Sequence, residues 1–170
     1  MLEGLPIGEA IKGSCIPGLD LLAGPMDLVS TDVFLADVED REFLLRSILR
    51  PEADEYDFIV IDCPTSLGLL TVNALTSSDY LILLVTPDYL GFEGLLNLME
   101  AVERTREGIG EAAEVLGIVL TLADYHINVK LKEAPSRVKS IFDHDNHSTG
   151  ADAYRRFSRE VVNRIRKDRA

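Results

Sequence analysis

The residues best placed to do chemistry lie in one stretch, Asp57-Phe-Ile-Val-Ile-Asp-Cys-Pro-Thr-Ser-Leu-Gly68. Four apolar residues in a row, Phe58 to Ile61, are the pattern of a strand buried on both faces of a parallel sheet. The run ends on an acid, Asp62. Pro64 then interrupts backbone pairing, and Gly68 allows a turn. In open α/β sheets ligands bind beyond the carboxyl ends of the strands, where Asp62 would stand. An apolar strand ending in Asp is the Walker B arrangement, whose carboxylate holds Mg2+ beside a bound nucleotide. The plainer reading of Asp62 is a cap on the turn that follows, and these residues alone do not separate the two.

The rest of the chain must supply a sheet to hold that acid. Strands are expected at 16–23, 57–62, 80–86 and 115–121. A helix over 38–49 is stopped by Pro51, and another is expected over 67–75. Phe92, Leu95, Leu96, Met99 and Val102 recur at helical spacing and predict a helix over 92–107, closed by Gly108 and Gly110. A short helix is expected over 133–140. The last begins at Ser148 or Thr149, a good N-cap, and buries Tyr154, Phe157, Val161, Val162 and Ile165. Strands alternating with helices predict a three-layer α/β fold, a mostly parallel sheet of four or five strands with helices on both faces. With 170 residues, 46% of them hydrophobic, and no linker or repeat, one domain (1–170) is expected.

Composition narrows the function classes. Two cysteines, Cys15 and Cys63, make no disulfide framework, so a reducing cytoplasm is expected. The start, Met-Leu-Glu-Gly, lacks the basic region of a signal peptide. The most apolar run, 80–85, is far short of the roughly 20 residues that cross a bilayer, so no membrane role is expected. The net charge of −12 is uneven. Residues 1–126 hold 6 basic and 23 acidic residues, a balance of −17, and residues 127–170 hold 11 and 6, a balance of +5. Such asymmetry marks a nucleic-acid contact or a solvated Arg-rich helix.

Asp62-Cys-Pro-Thr-Ser-Leu-Gly-Leu-Leu-Thr-Val-Asn-Ala-Leu75 resembles the switch segment of the ParA/MinD partition ATPases, in particular the ParA/Soj branch. The likeness extends over nearly the whole chain. Leu19-Asp-Leu-Leu-Ala-Gly-Pro-Met-Asp-Leu28 resembles the strand and turn before that family's Walker B segment, and Thr86-Pro-Asp-Tyr-Leu-Gly-Phe-Glu-Gly-Leu95 its next strand end and helix start. Asn128-Val-Lys-Leu-Lys-Glu-Ala-Pro-Ser136 is similar to the loop near the base, and Gly150-Ala-Asp-Ala-Tyr154 to the start of the last helix.

The resemblance implies an ATPase with ATP and Mg2+ as cofactors, a face-to-face homodimer, non-specific DNA binding on the nucleoid, and a ParB-like partner protein. Carried over residue by residue, Asp62 holds the metal, and Pro64, Ser66 and Gly68 form a loop sensing the γ-phosphate. Asn128 and Glu133 align with the base-binding and switch-adjacent loop. Lys130, Lys132, Arg137 and Lys139 match the region that meets DNA phosphates, within 127–170.

Two departures qualify that expectation. No Gly-x-x-x-x-Gly-Lys-[Ser/Thr] loop occurs: Lys12-Gly13-Ser14 has the wrong order, and Gly108-Ile109-Gly110 closes a helix. The family's phosphate loop and second acidic motif would lie ahead of Met1, so a truncated domain is expected, unable to bind or hydrolyse ATP alone. The alternatives are a non-enzymatic partner-binding or dimerisation module, or a gene fragment. The likeness also implies that strand 57–62 loses its usual neighbours, and the remaining strands are expected to close ranks. Between Tyr125 and Asn128 the family's helix and strand ending in Pro-Arg are missing, and Ile127 stands in the place of the arginine. Asp143-His144-Asp145-Asn146-His147 has metal-ligand residue types but reads as a solvated loop. Ser66 lacks the Gly-x-Ser-x-Gly setting of a serine hydrolase.

Overall fold

The computed structural model describes residues 7–24, 35, 37–63, 68–122 and 129–169, apart from the side chains of Val129 and Lys132. The chain forms two compact units, Met1–Asp79 with Asn97–Glu114, and Tyr80–Leu96 with Val115–Ala170.

The first unit opens with α1 (Ile7–Ala10) and a short hairpin of β1 (Lys12–Gly13) and β2 (Asp20–Leu21). The pairing is antiparallel, with Lys12 opposite Leu21 and Gly13 opposite Asp20. Ser14 closes the connecting turn: its amide donates to Leu19 O (3.1 Å) and its hydroxyl oxygen accepts from the Ile16 amide (3.0 Å). Gly18 supplies the positive φ, 78°, that the turn needs.

A 3-10 turn over Arg41–Phe43 runs into α2 (Leu44–Leu49), and Pro51, which has no amide to offer, opens a second 3-10 turn over Arg50–Glu55. Against the 41–49 segment packs α3 (Leu69–Ser77), burying Thr71, Asn73, Ala74, Leu75 and Thr76. Buried polar groups need partners, and here they make the joint. The Asn73 side-chain oxygen accepts from the Leu45 amide (2.9 Å), and its NH2 donates to Arg41 O (2.8 Å) and Leu69 O (3.0 Å). Thr76 Oγ1 donates to Glu42 O (2.6 Å). Arg46 donates to Thr76 O through Nε (2.8 Å) and meets Glu111 through Nη1 (2.6 Å).

Phe58–Ile61, expected as a doubly buried strand, is not one. Residues 58–63 carry no ladder, and Phe58, Ile59 and Val60 are 54%, 44% and 92% exposed. An apolar run becomes a strand where another strand offers N–H and C=O groups in register. Among the described residues none does so, and the expected closing of ranks does not occur.

The second unit contains β3 (Tyr80–Val85) and, from Val115 on, β4 (Glu114–Leu120), which pair; the long α4 (Tyr89–Ile109) that connects them along the chain has residues in both units. Hydrogen bonds run from Glu114 N to Asp79 O (3.0 Å) and from Thr121 N to Val85 O (2.8 Å). The register advances in the same direction on both strands, so the pair is parallel, and a parallel pair requires a long crossover such as α4. Leu83 and Val85 are buried on this pair, whereas Leu84 is exposed. Asp88 starts α4 by accepting from the Gly91 amide (2.7 Å). A Cβ at Gly91 would collide with the carbonyl and hydroxyl oxygens of Thr86, so glycine is required by close backbone approach.

Then follow α5 (Val129–Ser136), α6 (Ile141–His144) and α7 (Thr149–Asp168). Ser140 caps α6 and Ser148 caps α7, each accepting from the amide three residues on at 3.2 Å. Arg164 Nη1 donates to Leu116 O (2.9 Å) and Tyr80 OH to Asp168 Oδ2 (2.5 Å), tying α7 to the strand pair. Four strands form among the described residues, as two pairs, and strand–helix–strand connection gives the α/β class that the alternation predicts. No helix among them is long and apolar enough to cross a membrane.

Candidate functional site

The sequence-predicted site residues divide between the two units. Asp62 and Gly68 belong to the first, and Glu133, Lys130, Lys132, Arg137 and Lys139 to the second. Pro64, Ser66 and Asn128 lie outside the described residues, as does the side chain of Lys132.

Asp62 is exposed, and among the described residues its carboxylate makes no hydrogen bond or ion pair. Its charge is felt next door. The protein packed around the Cys63 sulfur pushes that thiol up from its ordinary 9.0, and the Asp62 carboxylate adds to the effect. The thiol therefore stays protonated at neutral pH and is no nucleophile. Gly68 is the N-cap residue of α3, its carbonyl accepting from the Val72 amide (3.1 Å). Its φ of −111° is open to any residue, so the turn expected there does not draw on glycine's special freedom.

A single carboxylate can serve Mg2+, because this ion keeps several waters and is commonly held by one or two acids together with substrate phosphates. No trio of His, Cys, Asp or Glu gathers to hold a metal by itself among the described residues. Asp62 thus fits the ion as a partner of a nucleotide's phosphates, not as an all-protein cage.

In the second unit Glu133 is already engaged. Its Oε2 lies 3.2 Å from His144 Nε2 and 3.8 Å from Lys130 Nζ. The turn from α5 to α6 presents Arg137 and Lys139 to solvent, with Val138 between them at φ 54°, a left-handed conformation that a β-branched residue rarely adopts. The 143–147 cluster is used locally. Asp143 Oδ2 accepts from Ser140 Oγ (2.7 Å), Asp145 Oδ1 accepts from the His147 amide (3.3 Å), and His144 turns to Glu133.

One feature had no separate expectation in the sequence. Arg156, Arg159, Asn163 and Lys167 follow one another at helical spacing along α7 and share an exposed face with Glu160 and Arg164. The signal was present in the 3-4-4 spacing of these polar residues. The Lys130–Glu133 spacing of three was equally visible, but the contact with His144 was not.

Residues 1–115 match a family described as an AAA domain. The chromosome partitioning protein ParA of Myxococcus xanthus (strain DK1622) is 33% identical over 96% of this chain and 67% of its own length. The chromosome-partitioning ATPase Soj of Treponema pallidum (strain Nichols) is 32% identical over 93% of this chain and 72% of its own. Among solved structures, cobyrinic acid a,c-diamide synthase from Mycobacterium smegmatis with bound ADP and magnesium superposes with a TM-score of 0.77 at 24% identity, covering 97% of this chain and 70% of that one. A plasmid partition protein from Borrelia burgdorferi gives 0.66 at 22%, covering 98% and 69%. Likeness at this level shows the fold alone, an α/β fold shared with these proteins.

Proposed function

We propose, from the premise that this chain belongs to the ParA/Soj family of partition ATPases, that it serves chromosome or plasmid partition in the cytoplasm, bound to the nucleoid. The observation that carries the reading is likeness along almost the full chain to partition proteins, at about a third identity. In this reading Asp62 is the acid for Mg2+ of a bound ATP, and the Pro64, Ser66 and Gly68 loop answers to the γ-phosphate. By the family likeness Asn128 and Glu133 would serve the base. The working form is a homodimer that meets a ParB-like partner.

The metal would supply charge neutralisation between the nucleotide's phosphates. This chain's own contribution would be the Asp62 carboxylate, which is exposed and, among the described residues, makes no hydrogen bond or ion pair. The 170 residues contain no phosphate-cradling Gly-Lys loop, so they do not hold Mg–ATP tightly by themselves. Calorimetric titration of the chain with Mg–ATP tests this, with Asp62→Ala as control. Silence is expected; micromolar affinity lost in the variant would overturn the exclusion and establish Asp62 as the metal acid.

The second unit is the DNA-facing part. Lys130, Lys132, Arg137 and Lys139 belong to it, and the exposed α7 row of Arg156, Arg159 and Lys167 adds positive charge that can meet phosphates. Contacts of this kind are sequence-independent and salt-sensitive. Fluorescence anisotropy with unrelated duplexes should give equal affinities that fall steeply with salt. Strong preference for one sequence would count against it.

A further inference from the structure

We propose that Glu133 is an anion shared between Lys130 and His144, and that protonation of His144 releases Lys130 to bind phosphate. The phosphate half of the inference rests on the DNA reading above; the switch itself does not.

The geometry is asymmetric. The His144 side chain is 7% exposed, and its Nε2 stands within hydrogen-bond distance of Glu133 Oε2, 3.2 Å. Lys130 Nζ reaches the same oxygen at 3.8 Å, beyond a normal hydrogen bond, from a side chain that is 51% exposed. A neutral imidazole leaves the carboxylate's charge to Lys130. A protonated one brings a full charge closer and away from water, where attraction is stronger. The imidazolium then takes Glu133, and Lys130, which solvent already reaches, is displaced. The trio passes from zero net charge to +1. Histidine makes this change between about pH 5 and 8.

The other carboxylates around His144 have hydrogen-bond or ion-pair partners of their own. Asp143 is held by Ser140, and Asp145 by the His147 amide. On α7, Asp152 is paired with Arg155 (2.8 Å), whose guanidinium also lies over the Phe142 ring at 5.2 Å and bonds to Asn146. His147 is a second, exposed imidazole in the same loop, so it needs its own control. Lys130 precedes Arg137 and Lys139 in one basic segment, and its release adds one phosphate contact there.

The test uses the 170-residue chain. By NMR, the Lys130 ε-methylene resonance should move as pH falls from about 8 to 5. The movement should disappear in His144→Gln and in Glu133→Gln and persist in His147→Gln. A resonance that stays still in the wild type, or moves equally in His144→Gln, overturns the switch. Circular dichroism checks folding, and the Glu133 variant decides the matter if the His144 variant is unfolded. By anisotropy at fixed salt, DNA affinity should rise about two- to fivefold over the same interval, with the salt slope steepening by about 0.9. His144→Gln should keep the affinity seen at high pH and lose the rise. Wild-type affinity flat in pH overturns the link to phosphate. Absence of DNA binding at every pH, with Lys130 still responding, sinks the DNA reading and leaves the switch standing.

Discussion

The two compact units differ most in charge. The first holds 20 acidic and 6 basic residues, a balance of −14; the second holds 9 and 11, a balance of +2. They also spend polar side chains differently. In the first, Asn73 and Thr76 are buried and knit α3 to backbone groups of the 41–49 segment. In the second, Arg156, Arg159 and Lys167 stand in solvent along α7. Net charge is therefore a poor guide to what this protein touches. Salt screens a surface charge within about 8–10 Å, so a ligand meeting α7 responds to the local field and not to the total of −12.

If the first unit depends on buried polar joints, Asn73→Ala should cost the most, about 3 kcal/mol, since it strands the Leu45 amide and the Arg41 carbonyl at once. Urea denaturation measures the loss, and hydrogen exchange should place it at α2 and α3. A cost near zero would break the contrast. Gly91→Ala probes the second unit at the close backbone approach between Gly91 and Thr86. About 2 kcal/mol is expected from the overpacked contact, localised by exchange to β3 and the start of α4. Val138→Gly should move the other way, raising stability by about 1 kcal/mol through relief of a left-handed valine. Val60→Ser should lie within about 0.5 kcal/mol of wild type, because Val60 is already in water. A large loss there would mean that 58–61 is covered after all.

The smallest effect is on acid stability. Gly91's amide, and next Thr86's hydroxyl, hold the Asp88 carboxyl below its ordinary 3.8. The ionised form is the one favoured by folding, so its contribution is complete above 3.8 and lost as pH falls through the depressed value. Asp88→Asn should flatten the wild-type decline of Tm in that acid range. Equal slopes would show that the cap does nothing for the second unit.

Much of the fold was legible from residues alone. The runs at β3 and β4 are apolar, short and separated by a helical period, and such runs with a long crossover can pair in parallel. Ser148 fixed the start of the last helix nearly to the residue, but Tyr154, expected inside, is 53% exposed, and Phe157, Val161, Val162 and Ile165 are only half-buried. Phe58–Ile61 shows the limit. Its composition declared an apolar strand and placed Asp62 at the end, but composition does not say whether a partner strand lies alongside. Asn73, inside an apolar helical stretch, gave no sign that it would bond to backbone 28 and 32 residues away. His144 and Glu133, eleven apart, meet because the chain turns back through 137–140. Sequence by itself determined where β3, β4 and the long helices lie, the Ser148 cap and the uneven charge, since these follow from periodicity and local chemistry. Tertiary structure alone decided which polar atoms share a partner, because a hydrogen bond or ion pair depends on distance through space and not along the chain.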